Sequence, residues 1–131
     1  MLNRTPVTIR DAEANEADAI ANLHAVSWMS AYRGLLSDEY LDNDLLGERK
    51  KHWAQKMAQL TEKEFVLVAE HNGKRVGFVA VLDKPEAGFD VLVDNLHVLP
   101  ELKGLGIGGQ LLTAAAVRLL NTERKSFYCS Y

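Results

Sequence analysis

The alternation of apolar and polar positions divides the front of the chain into one strand and two helices. Residues 7–10 alternate apolar and polar side chains and predict a short first strand. From Ile20 onward apolar residues recur at helical spacing, with Asn15 as the expected cap and Gly34 as the expected end of this helix. A second helix is predicted around Trp53, because charged residues occupy its other side.

The middle of the chain is predicted to be β structure. Two apolar runs, residues 65–70 and 75–82, flank Asn72-Gly73, which is typical of a hairpin whose central residues both need positive φ. Because both runs are almost continuously apolar, we expect the sheet to be covered on both faces. A third strand is predicted over residues 89–98.

The last third of the chain predicts a strand, a glycine-rich loop, a helix and a strand. The loop covers residues 103–109, the helix is expected from Gln110 to Leu120, and the final strand from Ser126 to Cys129. The whole order predicts an α/β fold (α+β) with a sheet between helical layers.

Length and composition favour one ordinary globular domain over residues 1–131. The chain has a formal charge of −3, and its apolar runs are far shorter than the ~18 residues that span a bilayer. Its start lacks the apolar block of a secretory signal, so a cytoplasmic protein without a membrane partner is expected. Cys129 is the single cysteine and the four histidines are scattered, so no metal site is expected.

The charge is unevenly distributed along the chain. From Lys103 onward there are four basic residues and one acidic residue, a local charge of +3, which leaves −6 for the preceding residues. A nucleic-acid partner is not expected, because basic residues and interleaved aromatics do not form a stripe. A small anionic ligand near the basic part of the chain is compatible with this distribution.

The glycine loop, residues 103–109, is the most specific chemical feature. Alternate glycines allow successive backbone N–H groups to face one point, and the helix that follows adds the positive end of its dipole. The loop is thus a candidate phosphate site. The alternative is a connection in which glycine merely lets the helix pack tightly against the sheet.

Two common phosphate motifs do not fit this loop. The Gly-Lys-Ser/Thr ending of a triphosphate-binding loop is missing. Gly104, Gly106 and Gly109 match Gly-x-Gly-x-x-Gly, but only 22 residues follow, and Cys129 stands where a ribose-binding acid is expected.

At these positions the chain resembles the GNAT superfamily of acyl-CoA-dependent N-acetyltransferases. The family's pyrophosphate motif is Gln/Arg-x-x-Gly-x-Gly/Ala after a strand ending in apolar-x-Val-x-Pro. Here the strand end is residues 96–100 and the motif begins at Lys103, which supplies a point charge instead of the usual forked or amide donor. Residues 27–36, followed by Arg49 and Trp53, are also similar to a subset of the superfamily.

The resemblance implies a three-layer fold, with a mixed, mostly antiparallel sheet and helices on both faces. It implies acetyl-CoA as cosubstrate and direct attack on the thioester by an amine, either a small molecule or a peptide. The strand before the loop would hold the thioester and pantetheine through its backbone, and the loop would hold the pyrophosphate. The implied cofactor-binding residues are Leu96, His97, Val98, Lys103, Gly104, Leu105, Gly106, Ile107, Gly108 and Gly109.

The catalytic residues are less defined by the sequence. Some family members carry a glutamate on this strand at the position of Leu92, so Asp94, two residues later, is the candidate base if no bulge intervenes. His97 titrates near neutrality and is a second candidate, or else a structural residue. Trp28 and Tyr32 are expected either to line the acceptor site or to pack in the core.

The resemblance also implies a helix and two strands beyond residue 131, which are expected to be missing from this domain. An uncovered sheet edge would favour a homodimer. Two functions therefore remain: an acetyltransferase, or a non-catalytic acyl-CoA-binding or interaction module.

Overall fold

The computed structural model describes residues 6–82, 91–121 and 127–129, and its description of 91–94 and 127–129 is confined to the backbone. Five strands and three longer helices follow one another along the chain: β1 Thr8–Asp11, α1 Ala17–Tyr32, α2 Leu45–Ala58, β2 Phe65–His71, β3 Lys74–Leu82, β4 Val91–Val98, α3 Ile107–Leu120 and β5 Phe127–Cys129. Short 3-10 turns precede α1 (Ala14–Glu16) and follow β4 (Pro100–Leu102), and a π-helical turn, Tyr40–Asp44, leads into α2.

The five strands form one mixed sheet in the order β1-β2-β3-β4-β5. The first three pairings are antiparallel and the β4–β5 pairing is parallel. The predicted hairpin between β2 and β3 is confirmed, because Asn72 and Gly73 have φ of 54° and 77°.

Helices cover both faces of the sheet, as the apolar runs predicted. On one face the ring of Phe78 in β3 packs edge-on against Trp53 of α2, with 5.3 Å between ring centroids. On the other face, next to Gly77, lies Leu111 of α3. The fold is therefore a three-layer α/β arrangement, with β3 buried between the layers.

The start of the first helix differs from the expectation. Asn15 is not the cap; it lies within the 3-10 turn Ala14–Glu16, and α1 begins at Ala17. The carboxylate of Glu16 accepts a hydrogen bond from the Glu13 N–H at 2.7 Å, so a glutamate closes this end of the helix. The other end matches the expectation, because Gly34, with φ of 91°, follows the last helical residue by two positions.

Other boundaries differ by one to three residues. The first strand is shifted by one position from 7–10 to Thr8–Asp11. α3 begins at Ile107 instead of Gln110, because the Ile107 side chain is buried in the core and anchors an additional turn. The expected strand starts at 89 and 126 lie outside the described residues.

Glu16 is a buried carboxylate that ties the front of the chain to the sheet. It accepts hydrogen bonds from Arg10 at 2.7 and 2.8 Å and a third from the Arg75 side chain. The hydrogen bonds from Arg10 hold the pKa of Glu16 well below its usual range. Arg10 also pairs with Glu70, so β1, β2, β3 and the turn before α1 meet at one ion cluster.

A second polar cluster joins the two helices on one face to β4. The indole N–H of Trp53 donates to Nδ1 of His24 at 2.9 Å, and both side chains are buried. The His24 ring stacks on His97 of β4 with 4.5 Å between centroids. Burial, and to a smaller extent the neighbouring His97, lowers the pKa of His24 to about 3. Neither of the two histidine rings therefore carries a charge at neutral pH.

We expect Gly77→Ala to destabilise the protein by about 1–3 kcal/mol, because an added Cβ would lie 2.9 Å from the His97 carbonyl oxygen and 3.2 Å from Leu111. Urea unfolding measures the change. Gly47→Ala in α2 is the control, since nothing lies within 4 Å of its Cβ and alanine favours a helix by about 1 kcal/mol. Equal stability of the two variants would contradict the close approach of β3 and β4.

The stability of the protein is expected to fall as the pH falls below about 6.5, partly because of His24. The unfolded chain binds a proton near the ordinary pKa of 6.5, whereas the folded chain does so only near 3. Glutamine does not titrate, so the His24→Gln variant lacks the proton that His24 binds on unfolding. The slope of its unfolding free energy against pH should therefore be smaller by up to about 1.4 kcal/mol per pH unit. Urea unfolding at several pH values measures both slopes, and parallel slopes would contradict the buried neutral state.

Candidate active site

The glycine loop (residues 103–109) adopts a left-handed backbone at two alternate positions. Gly104 has φ of 85° and Gly106 has φ of 84°, whereas the residues between and around them do not have positive φ. Gly106 is also the cap residue of α3, and its carbonyl accepts the N–H of Gln110 at 3.0 Å. Alternation of this kind turns backbone N–H groups toward a common point and forms an anion nest.

The first turn of α3 adds further donors to this nest. The hydrogen bond from Gln110 to Gly106 is the first of the helix, so the N–H groups of Ile107, Gly108 and Gly109 precede the helical ladder. The positive end of the α3 dipole lies at the same place, and anions there gain about 0.3–1 kcal/mol each. The arrangement can hold a phosphate.

Tight packing of α3 on the sheet does not explain Gly104, Gly108 and Gly109. A Cβ at Gly104 or Gly109 would meet no atom within 4 Å, and one at Gly108 would make an ordinary 3.8 Å contact with Val98. The close approach in this region belongs instead to Gly77. The space in front of Gly104, Gly108 and Gly109 is therefore free for a ligand.

The strand before the loop leaves backbone groups available on one edge. Leu99 N–H donates to the Val76 carbonyl at 2.9 Å, so His97, two residues earlier, also directs its backbone to β3. Leu96 and Val98 then direct their N–H and C=O groups to the opposite side, which we call the β4 edge. In the described residues β5 pairs only with Val91–Val93, so β5 does not cover this edge at Leu96 and Val98.

This alternation refines the expectation for the cofactor strand. Leu96 and Val98 offer their backbone to a ligand, whereas the backbone of His97 is used by β3 and its side chain faces α1. Leu96 and Val98 can therefore bind a ligand through their backbone, whereas the backbone of His97 cannot.

A β-bulge in β4 changes the interpretation of Asp94. Asn95 pairs with Ala80 and Val93 pairs with Val81, so Asp94 is the additional residue between them. The expectation that Asp94 shares a face with Leu92 required regular alternation, and that condition is not met. The structure places Asp94 in the strand at the bend, and its side chain lies outside the described residues.

A cavity of about 230 Å³ lies between α1 and the β4 edge. Its lining includes both expected acceptor residues, Trp28 and Tyr32, and four expected cofactor residues, Leu96, His97, Val98 and Lys103. Ser27 and Ala31, which were not predicted, complete the lining. Trp28 and Tyr32 are thus at the cavity, with 5.6 Å between their ring centroids, and are not core residues alone. We call this space the α1–β4 cavity.

The His97 side chain is held on both ring nitrogens. Ser27 Oγ lies 2.9 Å from Nδ1, and Nε2 lies 3.3 Å from the Asn95 side-chain oxygen. A neutral ring that accepts from the Ser27 hydroxyl and donates to Asn95 satisfies both contacts. Burial, and then Lys103, lower the pKa of His97 to about 4, so it is a weak base whose lone pair is already used.

Lys103 and Arg49 are the cations near the cavity. Lys103 lines it and is exposed, and in the described part of the chain it has no carboxylate partner within ion-pair distance. Arg49 of α2 lies over the Trp28 ring, with 5.0 Å from its guanidinium carbon to the ring centroid. Lys103 belongs to the basic part of the sequence, whereas Arg49 comes from the acidic part and was not expected near this site.

The cluster of His24, Ser27 and Trp53 around His97 was not predicted from the sequence. The pattern predicts a helix at Trp53 and gives no sign of a role for His24, because a histidine on an apolar helix face does not reveal its partner. The bulge at Asp94 was considered but could not be located, because its only sign is the pairing with β3.

The described residues contain neither a membrane-spanning helix nor a cluster of metal ligands. No helix among them is both long and apolar enough to cross a membrane. No group of three or more His, Cys, Asp and Glu side chains among them is arranged to hold a metal ion.

Comparison with known sequences points to one family. The acetyltransferase (GNAT) domain family matches residues 62–131. An uncharacterized N-acetyltransferase of Archaeoglobus fulgidus is 30% identical over 124 residues, covering 89% of this chain and 76% of the relative. The uncharacterized N-acetyltransferase YuaI of Bacillus subtilis is 25% identical, covering 93% and 69%.

Solved structures show the same fold. The PaiA N-acetyltransferase of Thermoplasma acidophilum, crystallised with coenzyme A, aligns with a TM-score of 0.72 at 20% identity, covering 89% of this chain and 74% of that one. A GNAT family acetyltransferase of Brucella melitensis, crystallised with acetyl-CoA, aligns with a TM-score of 0.63 at 22% identity, covering 95% and 75%. With its matching family model, relatives and fold, this chain belongs to the GNAT superfamily of N-acetyltransferases.

Proposed function

We propose that this protein transfers an acetyl group from acetyl-CoA to an amine by direct attack in a ternary complex. The observation that carries the proposal is the meeting of the glycine loop, the β4 edge and the α1–β4 cavity at one end of the sheet. A phosphate site, free backbone groups for an acyl-pantetheine chain and a space for an acceptor are thus adjacent.

The residues present fit coenzyme A. The N–H groups of the glycine loop from Gly104 to Gly109 would hold the pyrophosphate, and Lys103 would add a point charge. The outward backbone groups of Leu96 and Val98 would bind the pantetheine amides and the thioester carbonyl. A backbone N–H directed at a developing oxyanion contributes about 2.7–4 kcal/mol in other acyl transfers.

The proton of the acceptor amine needs a route that does not depend on His97. Its Nδ1 lone pair faces the Ser27 hydroxyl and its pKa is about 4, so the ring is poorly suited to remove a proton from an ammonium group. The bulge removes the argument from regular alternation, and Asp94 is proposed as the base because it is a carboxylate in β4 two residues before Leu96, from where it would act directly or through water. His97 acts as a positioning residue that fixes β4 against α1.

Trp28 and Tyr32 are proposed to contact the acceptor, because both line the α1–β4 cavity. A cytoplasmic location is part of the same proposal, as is the absence of a nucleic-acid, membrane or metal partner. A non-catalytic acyl-CoA-binding module would share the glycine loop and differ only in lacking transfer to an amine.

Coenzyme A is expected to raise the unfolding temperature of the protein, with a stabilisation of about 2.7 kcal/mol at a ligand concentration of about 100 times Kd. Gly106→Val should abolish this increase, because Gly106 requires φ of 84° and a side chain there disturbs the anion nest. Thermal unfolding with and without coenzyme A measures both effects.

Gly73→Val is the matched control for that experiment. Gly73 has a similar φ of 77° but lies in the β2–β3 turn, so the backbone strain is similar while the loop is intact. Coenzyme A should still stabilise this variant. Loss of the response in both variants, or in neither, would contradict the assignment of the glycine loop. Release of free thiol from acetyl-CoA, with and without amines, then separates an acetyltransferase from a module that only binds.

We also propose that the protein forms a homodimer through an exposed sheet edge, since an unpaired strand edge favours pairing with a second chain. Size-exclusion chromatography with light scattering should give twice the monomer mass of 14.6 kDa. A monomer at all accessible concentrations would refute this part of the proposal.

A further inference from the structure

The α1–β4 cavity has a predominantly apolar and aromatic lining. Trp28, Ala31, Tyr32, Leu96 and Val98 contribute most of it. The remaining ring, His97, is neutral because burial and then Lys103 lower its pKa to about 4. A ligand in this space would therefore contact hydrocarbon and ring surfaces over most of its length.

The segment after α1 carries exposed apolar side chains. Tyr32 is 42% exposed, and the amides of Leu35 and Leu36 both bond to its carbonyl oxygen. Leu35 is 78% and Leu36 is 39% exposed, so two large apolar side chains that follow Tyr32 in the chain are in contact with solvent.

Among the described residues, the charged side chains that line the cavity or contact its lining rings, Lys103 and Arg49, are both positive. Its described lining includes one charged side chain, the cation Lys103, and contains no carboxylate. Arg49 stacks on the Trp28 ring from α2. On the segment after α1, Asp38 and Asp42 both accept hydrogen bonds from Arg33.

From this chemistry we infer that the acceptor is a primary amine with an apolar body and no second positive charge. The inference rests on the proposed function and specifies its substrate class. An alkyl or aryl chain gains free energy by burial against Trp28, Tyr32 and Val98. A second ammonium group in the same place would lose water among apolar side chains and would be repelled by Lys103 and Arg49.

The overall charge of the chain does not decide the choice of acceptor. The charge of −6 over the first 102 residues favours cations at long range, whereas the selection of an acceptor depends on the groups within a few ångströms of it. Polyamines and other polycations are thus disfavoured acceptors.

The experiment compares two acceptors of the same length, hexylamine and 1,5-diaminopentane. Hexylamine ends in a methyl group where 1,5-diaminopentane has a second ammonium group. Thiol release from acetyl-CoA gives kcat/KM for each, calculated per concentration of free primary amine. We expect hexylamine to be preferred by at least about tenfold in kcat/KM, a difference equivalent to about 1.4 kcal/mol in transition-state binding.

A carboxylate placed at the cavity should reverse this preference. Tyr32→Glu introduces one at a half-exposed lining position, where folding should tolerate it, and should make 1,5-diaminopentane the better acceptor. Val26→Glu is the matched control, because Val26 lies on the same helix, is 40% exposed and does not line the α1–β4 cavity. This variant should keep the preference for hexylamine.

The outcomes separate this inference from the function on which it rests. Efficient acetylation of 1,5-diaminopentane in preference to hexylamine would overturn the inference and leave the acetyltransferase proposal intact. An equal change in preference in Tyr32→Glu and Val26→Glu would also overturn it, since a remote charge would then act as well as a local one. Binding of coenzyme A without transfer to any amine would overturn the proposed function and the inference with it.

Discussion

The site depends on one constraint, that β4 must be held firmly on one edge while its other edge stays uncovered. Backbone N–H and C=O groups are strong polar groups that need partners, so an open edge inside a sheet is stable only where a ligand or water reaches it. Here β3 fixes β4 by direct pairing and by the close approach at Gly77. Among the described residues, β5 pairs with Val91–Val93, before the bulge at Asp94.

Neighbouring residues of β4 have two different roles, attachment of the strand to the helical layer and presentation of backbone groups on its open edge. His97 points to the helical layer, where Ser27 and His24 hold it, and it thereby fixes the distance between α1 and the strand. Leu96 and Val98 contribute backbone groups, for which the identity of the side chain matters less. A histidine beside a candidate reaction centre can thus have a structural role.

Local chemistry made part of this structure predictable from the sequence. Asn72-Gly73 requires a backbone that few other residue pairs adopt, and the alternate glycines at 104 and 106 similarly define the loop before α3. The apolar runs of β2 and β3 predicted a sheet covered on both faces. The bulge at Asp94, the start of α3 at Ile107 and the cluster around His24 depend on contacts between distant segments, and no pattern within a short window contains them. Asn15 was assigned as a cap on residue preference alone, whereas Glu16 took that role because it also binds Arg10 and Arg75.

The ion cluster at Glu16 has a consequence for the order in which the chain folds. Arg10 meets Glu70 and Glu16 meets Arg75 across sequence separations of 60 and 59 residues, whereas the β2–β3 hairpin closes a turn of a few residues. Closing a long loop costs more conformational entropy than closing a short one, so local pairings are favoured in early folding. The hairpin is therefore suited to serve as the template on which the N-terminal strand and the first helix dock, and the buried glutamate completes that docking.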